Sequence, residues 1–258
     1  MSNKNISKIQ FDKQAEKFSN WSVTKNIEYL KGYFDFSGIL PNDSLLDVAC
    51  GTGEFSLYCA PNINQAYGID ISDKMIQIAK NQSEKSNLLN TNFIVNDVQN
   101  LPYENNSFSI IACRSAFHHF IDYDKIFHEM IRCCKNDGRL SIQDIVSYEN
   151  KKVNDFFENL EKEIDISHNK TLSKNNFFDL FANNNIEIVR NLEITVELNF
   201  QEYINHAVQN EYNLEMIHRL INHGINDYDI SKYFIKKNNE LFFKRNVFMI
   251  LGRNKISV

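Results

Sequence analysis

Leu45-Leu46-Asp47-Val48-Ala49-Cys50-Gly51-Thr52-Gly53-Glu54-Phe55 is the stretch that decides the fold of this chain. Leu45, Leu46 and Val48 form the apolar run of a strand buried on both faces of a parallel sheet. The run breaks at Gly51 and Gly53, and a helix follows at once. Without Cβ atoms the two glycines let a ligand approach the backbone closely, and the first amides of the next helix direct free N–H groups into the same space. Strand, glycine turn and helix therefore predict the seat of a nucleotide-like cofactor.

A glycine turn after a strand also opens dinucleotide sites, so its surroundings decide between ligands. The dinucleotide fingerprint places a third glycine three residues after the second, where this chain has Ser56, and no Lys is present to hold phosphate. Asp47, just before the turn, would repel a pyrophosphate but could pair with an ammonium or bridge through water, which points to a cationic cofactor. The next strand, Ala66-Tyr67-Gly68-Ile69-Asp70, ends in a carboxylate about 20 residues on, where such folds bind a ribose.

Asp47-x-x-Cys50-Gly51-Thr52-Gly53, then Gly68-Ile69-Asp70-Ile71-Ser72 with Met75 in the following helix, resembles the class I S-adenosylmethionine-dependent methyltransferases. Within them it is similar to the small-molecule branch of ubiquinone/menaquinone-type enzymes, and the resemblance runs roughly from Leu45 to Val146. It implies an α/β fold, a Rossmann-like doubly wound sheet of seven strands with an antiparallel strand near one edge. It also implies S-adenosylmethionine as cofactor and S-adenosylhomocysteine as product. By the same resemblance Asp47, Ala49, Cys50 and the Gly51-Thr52-Gly53 turn face the methionine part, Asp70 binds both ribose hydroxyls beside Ile71, and Met75 and Arg114 border the cofactor. Asp97 and Val98, in an Asp-x-x-x-Leu-Pro pattern after the third strand, are placed at the adenine. Met75 reads equally as core, and Asp97 equally as the cap of a turn.

The fourth strand, Phe108 to Cys113, delivers Arg114-Ser115-Ala116-Phe117-His118-His119-Phe120 to the same edge. In open α/β sheets the ligand lies outside the carboxyl ends of the strands where the strand order reverses, here between the first and fourth strands, so this loop is the expected reaction site. His118 and His119 are candidate general bases, since imidazole takes a proton near neutral pH. A histidine bonded to the cofactor carboxylate or to backbone is the alternative. Loop neighbours seldom converge on one ion and no third ligand has metal spacing, so no metal is expected. Asp144, ending the fifth strand, reads as a plain strand-end carboxylate. The Asp165-Ile166-Ser167-His168 turn has a counterpart bordering the substrate cavity in one subgroup of small-molecule methyltransferases, which makes His168 a second substrate-side candidate against a solvent-exposed turn histidine.

Four segments are expected: 1–40, an N-terminal helical lid; 41–199, the methyltransferase core; 200–240, a helical insertion between the sixth and seventh strands that covers the acceptor site; and 241–258, the final strand. Two helices precede the sheet, with Phe11, Ala15 and Phe18 on one stripe and Ile27, Leu30 and Phe34 on another. They either cap the sheet or close over the cofactor, which would put Phe18 and Trp21 beside the methyl group, where aromatic faces suit a sulfonium cation. The insertion could equally guard a sheet edge or form a dimer contact.

A formal charge of −5 leaves no electrostatic footprint for nucleic acid or an anionic membrane, and no stretch approaches a membrane span or the core of a signal peptide. The five cysteines have no metal spacing and read as reduced thiols of a cytoplasmic protein, a monomer or homodimer. Abundant asparagine reads as compositional drift. No Asn/Asp-Pro-Pro-Tyr-type motif follows the fourth strand, which argues against amino-methylation of bases or protein glutamine. The expected acceptor is an oxygen or carbon nucleophile of a small, partly apolar metabolite, with amine nitrogen close behind. A noncatalytic S-adenosylmethionine-binding protein is the alternative, and a nicotinamide-dependent oxidoreductase is disfavoured by Ser56.

Overall fold

The computed structural model describes residues 3–207 and 210–255. Positions 1–2 of the expected lid, 208–209 of the insertion and 256–258 of the final strand lie outside the described residues. The strands are β1 (Ser44–Val48), β2 (Gln65–Asp70), β3 (Thr91–Val95), β4 (Phe108–Arg114), β5 (Cys134–Ile145), β6 (Ile186–Asn199), β7 (Phe234–Lys237) and β8 (Glu240–Asn254). They form one sheet in the order β3-β2-β1-β4-β5-β8-β6, with β7 paired to β8 off that path. β1 to β5 are parallel, and β8 runs antiparallel between β5 and β6. The order reverses between β1 and β4, as the sequence predicts. Central strands carry unbroken apolar runs, Leu45, Leu46 and Val48 against Ile110 to Cys113, because helices cover both faces and no position meets water.

The helices are α1 (Asn3–Asn20), α2 (Ile27–Ser37), α3 (Glu54–Cys59), α4 (Asp73–Lys85), α5 (Tyr123–Cys133), α6 (Lys151–Ile164), α7 (Lys174–Asn183), α8 (Phe200–His206) and α9 (Glu211–Asn226). Their starts follow from capping chemistry. Ser72 accepts from the Met75 N–H, and Ser173 with Asn176 forms a reciprocal capping box. Asparagine has structural work that the compositional reading missed. Asn26, Asn150, Asn199 and Asn210 cap α2, α6, α8 and α9, and Asn87, Asn106, Asn185, Asn238 and Asn239 hold positive φ in turns, which their short polar side chains tolerate.

Two expectations are corrected. Ile27 is 63% exposed and Phe34 only partly buried, while α2 buries Leu30 as expected, together with Tyr33, Phe36 and Ser37. The insertion is not wholly helical: Phe234–Lys237 forms β7, a hairpin with the start of β8, because that long strand leaves its outer half an unpaired edge on this side. α1 packs on α4 and α8, with Trp21 stacked on His206 at 4.3 Å and Ser22 Oγ donating to Glu202 Oε2 at 2.5 Å. α6, α8 and α9 share an apolar cluster containing Phe156, Phe157, Leu160, Tyr203, Ile217 and Phe243. Among the described residues no helix is long and apolar enough to cross a membrane.

Candidate active site

The carboxyl ends of β1, β2 and β4, roofed by α1 and α8, surround a cavity of about 350 Å³. Ala49 (φ 54°) and Ser115 (φ 53°) end neighbouring strands in the left-handed region, where non-glycine residues are uncommon and cluster at functional sites. Gly51 (φ 55°) needs that region too, and a Cβ there would sit 3.5 Å from the Phe18 ring.

Asp70 is held by backbone. Its Oδ2 accepts from the Gly51 N–H and its Oδ1 from the Ser72 N–H, both at 2.9 Å. Burial raises its pKa, and these amides pull against the rise. Burial also pushes the Asp47 carboxyl up to about 6, opposed by the Ser56 hydroxyl that donates to it at 2.7 Å. Ser56, read in the sequence only as a missing glycine, thus orients the carboxylate before the turn.

Of the cofactor candidates, Asp47, Ala49, Cys50, Gly51, Asp70, Ile71, Met75, Asp97, Val98 and Arg114 all line the cavity. Thr52 and Gly53 are not among the residues that line it. Thr52 is buried and donates to Glu54, and Gly53 (φ 81°) serves packing: a Cβ there would fall 2.9 Å from Ala79 Cβ and Phe93 Cε1. Met75 is both core and wall, and Asp97 both accepts from the Gln99 N–H at 3.0 Å and faces the cavity.

His118 and His119 reach the same cavity with rings 4.1 Å apart, yet their environments drive them in opposite directions. His118 Nδ1 is 2.6 Å from Asp144 Oδ1. Burial disfavours its imidazolium, but the Asp144 carboxylate outweighs burial and raises the pKa. Asp144 is therefore no plain strand-end carboxylate: it is buried and its partner is this histidine. His119 is pushed down to about 3 by burial and by the charge on His118. Its Nδ1 lies 3.1 Å from Ser167 Oγ, and that hydroxyl donates to Asp165 Oδ1 at 2.5 Å. Since the single serine proton goes to the carboxylate, Oγ must accept from His119 Nδ1–H, which leaves Nε2 with the lone pair. Phe11 packs edge-on against the His119 ring at 5.0 Å.

This arrangement predicts one tautomer. In nitrogen-15 spectra of histidine-labelled protein, His119 should show a protonated Nδ1 and a bare Nε2, and titrate well below the ordinary 6.5. Ser167→Ala should mix the tautomers. Mixed tautomers in the wild type, or a midpoint near the ordinary 6.5, would contradict the relay.

His168 is not a solvent-exposed turn residue. Its side chain is 1% exposed in the cavity wall, Nε2 lies 3.2 Å from Glu158 Oε2, and Nδ1 is buried without a hydrogen-bond partner among the described residues. Burial would raise the Glu158 pKa, but hydrogen bonds from His168 and Thr171 bring it down to about 2. Phe18 and Trp21 also line the cavity. Among the described residues no cluster of His, Cys, Asp and Glu is placed to hold a metal, and the five cysteines are free thiols.

Sequence reasoning missed Gln14, Glu161, Tyr203, His206 and Arg245, all on the wall. Glu161 had a legible signal, a glutamate on the stripe of Phe157, Leu160 and Ile164 that α6 buries. Arg245 shares strand parity with buried Phe243 and Val247, a charge on the face that turned out to be inward.

Comparison with known proteins agrees with this geometry. A family model described as "Methyltransferase domain" matches residues 39–186. The uncharacterized methyltransferase YcgJ of Bacillus subtilis is 28% identical over 176 residues, 68% of this chain and 70% of that protein. Its crystal structure superposes with a TM-score of 0.80 at 22% identity, covering 88% of this chain and 98% of that one. A demethylmenaquinone methyltransferase of Bacillus mycoides is 26% identical over 137 residues, 50% of this chain and 58% of that enzyme, so this chain spans little more than half its length. Geranyl diphosphate C-methyltransferase of Streptomyces coelicolor A3(2), solved with Mg²⁺, geranyl diphosphate and S-adenosylhomocysteine, shares the fold at a TM-score of 0.59 and 11% identity, over 88% of this chain and 78% of that one. With the matched region taking in the glycine turn and both strand-end carboxylates of the cavity, the chain belongs to the methyltransferase-domain family of class I S-adenosylmethionine-dependent enzymes.

Proposed function

We propose that the chain binds S-adenosylmethionine along β1 and β2 and methylates an oxygen or carbon nucleophile of a small, partly apolar metabolite, with amine nitrogen the next choice. The observation that carries this is the meeting in one cavity of Asp70, braced by the Gly51 and Ser72 amides, and the neutral imidazole of His119. The residues fit the donor. Asp47 and Asp70 present buried carboxylates to a cation, Gly51 leaves the room a side chain would take, and Asp97 can accept from an exocyclic amine.

When bound, the sulfonium donor supplies an activated methyl group to a nucleophile in line with its S–CH₃ bond. The chain's residues then have three tasks. Asp47, the glycine turn and Asp70 orient the donor. The 1–40 segment as lid and the 200–240 segment as acceptor-site cover exclude water, a role supported by the Trp21–His206 stack that joins them. His118, whose basicity Asp144 raises through Nδ1, accepts the proton of an acceptor hydroxyl or activated carbon, while His119, held neutral, offers its Nε2 lone pair as a hydrogen-bond acceptor that orients the substrate. Phe18, Trp21 and His168 line the substrate side.

Calorimetric titration with S-adenosylmethionine, S-adenosylhomocysteine and NADH tests the reading. Both adenosyl compounds should bind in the micromolar range and NADH should not, and Gly51→Arg, which fills the turn, should abolish binding. Binding of NADH, or of neither adenosyl compound, would sink it.

A further inference from the structure

Arg245 on β8 and Glu161 on α6 meet in the cavity wall, 1% and 4% exposed. The guanidinium carbon lies 5.5 and 5.4 Å from the centroids of the mutually stacked Tyr148 and Phe157 rings, with Nη2 at 3.3 Å from Glu161 Oε1. Despite that approach, Arg245 Nε, Arg245 Nη2 and Glu161 Oε1 are all buried without a hydrogen-bond partner among the described residues. The other oxygen of Glu161 accepts from the Tyr203 hydroxyl at 2.7 Å.

A purely structural arginine–carboxylate pair closes into a two-bond fork, because buried polar atoms left open carry the full cost of lost hydration. This pair does not close, and both residues line the cavity. They offer two N–H donors beside one carboxylate oxygen. A ligand that satisfies both must present an accepting oxygen next to an N–H or O–H donor. A free carboxylate would meet the Glu161 charge with Asp165 nearby on the same wall, and an ammonium would meet Arg245. Around the pair the wall is apolar, with Ile194, Val196, Leu198 and Val247.

We infer that Arg245 and Glu161 form the head-group site of the methyl acceptor, and that the acceptor is a neutral molecule carrying a carbonyl oxygen beside an N–H or O–H, such as a carboxamide or a hydroxy-carbonyl compound. This rests on the methyltransferase reading and specifies its substrate class. The carbonyl oxygen accepts from Arg245 Nε and Nη2, and the adjacent hydrogen is donated to Glu161 Oε1.

Three ring-bearing probes of similar shape separate the possibilities: benzamide, benzoate and benzylamine, each titrated into protein saturated with S-adenosylhomocysteine. Benzamide should bind about tenfold or more tighter than either charged analogue. Glu161→Gln keeps an oxygen for Tyr203 but removes the charge, and should turn the preference toward benzoate. Arg245→Met should turn it toward benzylamine. A wild type that prefers either ion, binds none of the three, or shows the same ranking in the Glu161→Gln protein would overturn the inference. Should Arg245→Met lack a cooperative thermal transition, the reversal in Glu161→Gln decides alone. Failure of the initial saturation with S-adenosylhomocysteine would instead overturn the donor-site reading.

Discussion

Asp70→Ala should weaken S-adenosylhomocysteine binding by about 10²–10⁴-fold, measured by calorimetry against the wild type. A ribose diol on this carboxylate makes two charge-assisted hydrogen bonds, each worth roughly 1.5–3 kcal/mol. The same oxygens receive the Gly51 and Ser72 amides at 2.9 Å, so removing them also loosens the glycine turn, the proposed seat of the donor. Asp70→Asn, which retains one acceptor oxygen, should fall between the two. An affinity within threefold of wild type for Asp70→Ala, with the thermal transition preserved, would remove Asp70 from the donor site.

The largest effect on stability is expected away from the cavity, at Asp43. Its carboxylate, 4% exposed, takes both oxygens to Arg139 Nη2 at 2.5 and 2.6 Å and also accepts from Ser109 Oγ at 2.7 Å and the Leu40 N–H at 2.6 Å. Arg139 further donates to the Gly38 carbonyl. One carboxylate thereby ties the end of α2 to the starts of β1 and β4 and to β5. Asp43→Ala leaves a guanidinium and several donors open in a closed space, and breaking such a buried pair costs about 3–5 kcal/mol. Against a typical total of about 5–15 kcal/mol this is a large share. Urea unfolding should show the drop in midpoint, with a smaller drop for Asp43→Asn. A change below about 1 kcal/mol would mean that water replaces the lost partner. Because Asp43 does not line the cavity, affinity for S-adenosylhomocysteine in the folded variant should stay unchanged.

Those two aspartates mark what a linear reading reaches. Asp70 was legible because strand, turn and carboxylate lie close along the chain, and short-range geometry is set by local sequence. Asp43 carries no motif, and its importance comes from Arg139, which the sheet brings to it from far along the chain. The same division runs through the cavity. The glycine turn, Asp47, the reversal point between β1 and β4, and the arrival of His118 and His119 there could all be read from the order of apolar runs and punctuating residues.

By itself, then, the sequence determined the strands, the glycine turn and the ligand-bearing edge, since alternation, caps and turns act over a few residues, and its resemblance to class I methyltransferases implied the make-up of the sheet and the class of chemistry. Only the tertiary structure decided which histidine is neutral, because that depends on Asp144 standing at His118 and on Ser167 and Asp165 standing at His119, partners supplied by separate elements. It likewise decided that Asn is a capping residue here and that Gly53 lies too close to Ala79 and Phe93 for a side chain. Arg245 came inward only because β8 inserts between β5 and β6 with a register that faces it toward Glu161. A charge on an alternating strand has two possible faces, and which one is buried is set by what packs against it, not by the strand's own residues.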